Sequence, residues 1–194
     1  MREFLTLWFQ AILYPRRSFR QLESKPAPLW GLISILVRFV GTSLTSILAL
    51  MLLGYRPFVP SYLRILDDAH YYRVEVILLP LFGIGAWLLS SGLVHVILSA
   101  AGRPSNIDWI MNVVGFSLLV VMPVVWALDW VGIALGFYGA DFTIPIHIAV
   151  SVWEVALMGT GFRRIGNLGW GGALFLGFVV KAGVYIPLAA LLVR

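Results

Sequence analysis

Six ionisable side chains fall within or beside long apolar stretches: Arg38, Glu75, His95, His147, Glu154 and Lys181. A charge placed in hydrocarbon must find a partner, reach water or lean to the interface, so each is a candidate for function. Glu75, His95 and His147 fall near the ends of their stretches and read as interfacial. Glu154 and Lys181 do not. At 1.5 Å per residue they sit roughly 12 and 16 Å from the ends of two apolar segments joined by a short loop, which makes them expected neighbours. A pair at matched depth reads first as a bridge that lets two helices insert, and second as part of a functional site. Arg38 lies at the depth of Glu154. Its simplest reading is snorkelling toward the N-terminal-side headgroups; its alternative is membership of an Arg38–Glu154–Lys181 cluster of net charge +1, able to receive a lipid phosphate or to gate a polar path. His147, Ser151 and Glu154 recur at i, i+4 and i+7, so we expect a polar helix face turned toward protein.

The chemistry these residues exclude is as informative. The sequence contains no H-E-x-x-H, G-x-S-x-G, P-loop or dinucleotide-binding glycine pattern, and its three histidines are too scattered for a metal site. With no cysteine there is no disulfide, thiolate ligand or thiol nucleophile. We expect no catalytic residue, no metal and no cofactor. A membrane enzyme ranks behind the other readings.

The elements that carry these side chains follow from composition. The chain has 194 residues, 60% hydrophobic and 12% charged, with a mean hydropathy of +0.93. That is about half the usual charged share of near 25% and indicates an integral membrane protein. Segments of roughly 20 apolar residues, bounded by proline, glycine or charge, predict five spans at about 30–53, 74–98, 109–128, 143–162 and 170–193. The fold class is therefore all-α, a polytopic bundle of five transmembrane helices forming a single membrane domain over 1–194. Pro123 is expected to kink the third span. The run from Trp130 to Ala140 is too short to cross, and we read it as interfacial or re-entrant. The small residues Ala173 and Gly177, Ala86 and Ser90, and Gly41 and Thr45 are spaced for close helix packing, with contacts between copies as the alternative.

Ahead of the first span, Leu5, Trp8, Phe9 and Ile12 follow a helical stripe, which predicts an amphipathic helix lying on the membrane surface. No small-residue cleavage site follows it, so a signal peptide is not expected. Arg16-Arg17 echoes a twin-arginine export signal but lacks the apolar region that should follow. Arg16, Arg17 and Arg20 are expected to meet lipid phosphates, a partner-docking role for this helix being the alternative. The net charge of +5 suits an anionic leaflet better than nucleic acid, because the arginines flank apolar spans instead of forming one basic face. Eight cations (Arg2, Arg16, Arg17, Arg20, Lys25, Arg103, Arg163, Arg164) fall on one side of a five-span topology and four (Arg56, Arg64, Arg73, Arg194) on the other. Positive-inside logic then places the N-terminus in the cytoplasm and the C-terminus outside, in an inner or plasma membrane.

The order of features resembles the Yip-domain membrane proteins, named for interaction with Ypt/Rab GTPases. The resemblance is carried by the apolar start running into Pro15-Arg16-Arg17-Ser18-Phe19, the turn Ala100-Ala101-Gly102-Arg103-Pro104, the proline-bearing third span and the final helical hairpin. It implies fold and topology for nearly the whole chain. The long N-terminal region and Asp-Leu-Tyr-Gly-Pro type motif of eukaryotic members are missing, so GTPase binding is not carried over, and the short form is similar to prokaryotic members. The leading expectation is a non-enzymatic membrane-organising protein or accessory subunit, working through helix packing and lipid contact. Membrane lipids and either further copies of itself or a larger membrane-protein complex would be its partners. The alternative is a small transporter or lipid-translocating protein that uses Arg38, Glu154 and Lys181.

Overall fold

The computed structural model describes residues 2–25, 27–57 and 70–192. Pro60, Arg64, Asp67 and Asp68 of the first loop, and Arg194, lie outside the described residues. Two short helices, α1 (Arg2–Leu13) and α2 (Pro15–Leu22), precede five long ones. Of the long helices, α3 covers Leu29–Leu52 and α4 covers Tyr71–Ala100. The third span, Ile107–Ala134, consists of α5 (Ile107–Val120) and α6 (Met122–Ala134). The last two are α7 (Ala140–Ile165) and α8 (Trp170–Leu191). Each of the five is long and apolar enough to cross a membrane. No strand occurs among the described residues.

The third span is the axis of the bundle: 72% of its apolar window is buried, against 33–39% for the other four. It can be surrounded because α3 approaches it with almost no side chain between the backbones. A Cβ on Gly115 would strike the Gly31 carbonyl, and one on Gly31 would strike the carbonyl of Met111, so only glycine fits either position. Asn112, fully buried on the same turn, closes this contact with two hydrogen bonds. Its Oδ1 accepts from the Gly31 N–H at 2.8 Å and its Nδ2 donates to the Ala27 carbonyl at 2.9 Å. A side-chain amide inside the bundle thus meets the open backbone groups at the start of α3.

The spaced small residues pack inside the chain. Ala173 and Ala86 are buried, a Cβ on Gly177 would lie 2.9 Å from the Val155 carbonyl of α7, and one on Gly41 would lie 2.6 Å from the Trp126 ring. The turn between α4 and α5 forms where Gly102, at φ +65°, lets Arg103 N–H donate back to the Leu98 carbonyl at 2.9 Å. Asn106 then caps α5 by accepting from Trp109 N–H at 2.9 Å.

One sequence expectation needs correction here. The third span does not stop before Asp129: α6 runs on to Ala134, and only Leu135 to Gly139 separate it from α7. Asp129 is tolerated inside the helix because it is buried and accepts from Ser46 Oγ at 2.8 Å, so Trp130–Ala134 extends the span and forms no separate re-entrant piece. Helix α1 keeps its outward stripe and adds a second face. Its buried residues are Phe4, Leu7 and Ala11, while Leu5, Phe9, Ile12 and Leu13 are exposed. The helix therefore has two apolar faces, one docked on the bundle and one, the stripe legible in the sequence, turned outward.

Candidate functional site

Three spans bring one charge each to the middle of the bundle. Arg38 stands on α3, Glu154 on α7 and Lys181 on α8. Glu154 is fully buried, and each of its oxygens faces a different cation: Oε1 accepts from the Arg38 guanidinium, and Oε2 is 2.5 Å from Lys181 Nζ. Arg38 does not lean to the interface. A carboxylate at its own depth, and a backbone carbonyl beside it, offer it stronger partners than the headgroups a helix-half away.

That carbonyl belongs to Leu118. It is presented where the third span breaks at Val121, next to Pro123, whose ring supplies no N–H to the preceding turn. The bond that Pro123 cannot make is the one to Leu119, the neighbour of Leu118, so the ladder is interrupted beside the carbonyl that Arg38 uses.

Local irregularity accompanies the other members as well. Helix α3 widens to π geometry over Ser43–Ile47, one turn beyond Arg38, and α8 does the same over Val179–Tyr185, around Lys181 itself. Such π turns re-aim side chains at the cost of poorer backbone bonding and recur at functional positions. The cationic groups also lie over aromatic rings, Arg38 at 5.2 Å from the Phe39 centroid and Lys181 at 5.6 Å from that of Tyr185.

The cluster closes one end of a cavity of about 290 Å³. Its walls carry Ser46, Glu75, Asp129, Tyr138, His147 and Ser151 besides the three charges, with Phe39, Phe82 and Tyr185 between them. These residues lie beyond Arg38 on α3, in the opening turns of α4, near the end of α6 and beyond Lys181 on α8. The cavity therefore occupies the half of the bundle away from the N-terminal helices. Ser151 is half-buried and His147 has an exposed flank, so the polar face of α7 lines the cavity while its outer end reaches the bundle surface.

Glu75, read from sequence as interfacial, is instead buried and turned inward. Tyr138, in the α6–α7 turn, has its hydroxyl pKa pushed up, first by burial and then by the charge of Asp129. Its hydroxyl therefore stays neutral. Sequence reasoning missed Glu75, Asp129, Ser46 and Tyr138 as members of this site; the signal that was present is a carboxylate and a serine inside otherwise apolar runs. His95 is elsewhere, paired with Ser105 Oγ at 2.6 Å near the α4–α5 turn.

Arg16, Arg17 and Arg20 are exposed on α2, which begins at Pro15 and is held against α1 by a 2.7 Å bond from Ser18 Oγ to the Leu7 carbonyl. Phe19 and Phe4 lock this pair to the bundle by edge-on contacts with Phe116, at 6.3 and 5.8 Å between centroids.

Among the described residues no group of three or more histidine, aspartate or glutamate side chains is arranged to hold a metal. No curated protein and no solved structure matches the chain. A family model does: the Yip1 domain matches residues 9–191, from the first N-terminal helix to the end of the last span. With that match over nearly its whole length, and a five-span all-α bundle behind it, the chain is an integral membrane protein of the Yip1-domain family.

Proposed function

We propose that the protein is a non-enzymatic membrane organiser or accessory subunit that acts through helix packing and lipid contact. The observation that carries this reading is the α1–α2 elbow. One face is locked into the bundle through Phe4, Leu7 and Phe19, while Leu5, Phe9 and Leu13 project outward at 46%, 61% and 72% exposure, followed by three exposed arginines. A short apolar surface with basic residues at its end suits the boundary of an anionic leaflet, and docking ties that contact rigidly to five spans. The mid-bundle charges support the same reading. Glu154 is met on both oxygens by cations from two other spans, the arrangement a structural tie requires. Native mass spectrometry from detergent tests the proposal by detecting bound lipid, copies or partner subunits. A strictly monomeric protein free of lipid and partners overturns it.

A second reading, a small transporter, draws on the cavity. At about 290 Å³ it falls near the lower end of ligand pockets, about 300–1,000 Å³, which suits a small solute, an ion with its waters or one headgroup, but not an entire phospholipid. Proteoliposome flux across an ion and lipid panel decides it: absence of substrate-dependent transport removes this reading.

A further inference from the structure

A second polar cavity, of about 410 Å³, lies at the N-terminal side of the bundle between α2 and the turn that joins α7 to α8. Four arginines line it, Arg16 and Arg20 from α2 and Arg163 and Arg164 from the end of α7. Residues more than 140 positions apart in sequence thus converge on one space, while the adjacent Arg17 is not part of the lining. Like charges gathered in this way repel one another unless an anion lies between them.

The protein supplies little of that anion. Among the described residues Glu23 is the one carboxylate bonded to the set, 2.7 Å from Arg164. Arg16 and Arg163 instead lie over the Trp170 ring, at 5.6 and 5.0 Å from its centroid. Contact with an indole holds a guanidinium in place without neutralising it or occupying its N–H donors. The backbone adds a second, independent source of positive potential. Helix α8 starts here, its cap residue Gly169 provides no side-chain acceptor, and Trp170 of its first turn is in the lining, so the positive end of its dipole lies at the cavity. Asn167, also in the lining, takes the left-handed conformation at φ +48° that brings the chain around to this start.

We infer that this cavity binds the phosphate of an anionic phospholipid headgroup. The phosphate would be gripped by Arg16, Arg20 and Arg163 and by the opening turn of α8, with Arg164 held at the rim by Glu23. Arginine forks suit phosphate because two N–H groups can meet two oxygens at once. A lipid is favoured over a soluble phosphate by the helix that starts at the cavity: α8 continues with exposed Leu174, Phe175 and Phe178, an apolar surface that acyl chains can cover. The inference rests on the lipid-contact reading above and specifies where that contact is selective.

The test uses the full chain in detergent, titrated with phosphatidic acid or with phosphatidylcholine of the same acyl chains and followed by native mass spectrometry. Phosphatidic acid should occupy one site at a concentration about tenfold or more below phosphatidylcholine. Arg20→Gln and Arg163→Gln, exposed changes in two separate elements, should each erase about tenfold of that preference, whereas Arg17→Gln, the same charge change outside the cavity, should alter it less than about twofold. Equal loss in Arg17→Gln, or no preference in the unchanged protein, overturns the site. Glycerol 3-phosphate that displaces the lipid at equal concentration shows a soluble ligand and overturns the lipid assignment. Oligomers, partners and other bound lipids are read in the same spectra: if they persist while the preference is absent, this site fails and the broader function stands.

Discussion

Lys181 and Arg38 divide Glu154 between them: the lysine faces one carboxylate oxygen and the arginine the other, from helices on opposite sides of α7 in the chain order. The ion pair inferred from helical depth is thus one half of a three-membered unit, and the two cations are not equivalent. Arg38 also holds the Leu118 carbonyl, whereas Lys181 has the Tyr185 ring. Removing the carboxylate strands two cations; removing the lysine leaves a neutral arginine–glutamate pair.

Glu154→Gln should therefore destabilise by about 3–5 kcal/mol, and Lys181→Met by less, about 1–2 kcal/mol. The double change should cost less than the sum, because the lysine no longer needs a partner, but it should not restore full stability while Arg38 remains. Thermal unfolding in detergent checks the order. Equal losses in the two single variants, or strict additivity, would show that the three side chains do not act as a unit.

At the crossing of α3 and the third span, Gly115→Ala should be costly, because the new Cβ meets the Gly31 backbone and no side chain can move aside. A loss of about 1–3 kcal/mol is expected for such overpacking. Gly85→Ala, in open space, should change stability by no more than about 0.5 kcal/mol. Urea or thermal denaturation in one detergent compares them directly.

Asn112→Ala removes both the acceptor for Gly31 N–H and the donor to Ala27. With buried backbone groups left unmet, about 1–3 kcal/mol should be lost. The N-terminal end of α3 should open first, visible as faster amide exchange around Ala27 to Leu32 while α7 and α8 stay protected.

Phe19→Ala should loosen the α1–α2 elbow, since the ring is fully buried against Phe116, whereas Phe9→Ala should leave protein stability nearly unchanged because that ring is 61% exposed. Limited proteolysis near Tyr14 should accelerate only in the first variant. Partition onto anionic vesicles should weaken only in the second, if Phe9 contacts lipid as proposed.

Reporter fusions test orientation. With eight cations on the N-terminal side against four, tags at Arg194 and at Asp67 should both report the exterior, and a tag ahead of Arg2 the cytoplasm. A cytoplasmic signal at Arg194 would contradict this topology.

Much of the architecture was legible because it depends on local composition. A helix that crosses hydrocarbon needs about 20 apolar residues wherever its neighbours stand, so five spans and an irregularity in the third near Pro123, where the helix is interrupted at Val121, can be read along the chain. Even the nearness of Glu154 and Lys181 is almost local, since a short turn and a constant rise per residue place them at matched depth. What the sequence could not decide is how each helix is turned about its own axis and which helix stands beside which. Those choices come from packing between residues far apart in the chain: Gly31 against Gly115, Asn112 reaching Ala27, and Ser46 meeting Asp129 across 83 positions. Hydropathy assigns Asp129 to the end of a span because a lone carboxylate is costly in lipid; only the tertiary structure supplies the serine and the cavity that let it stay inside. The same holds for α1, where two apolar faces compete in one short sequence. Contact with Phe116, a residue of the third span, selects Phe4 over Leu5 as the buried side.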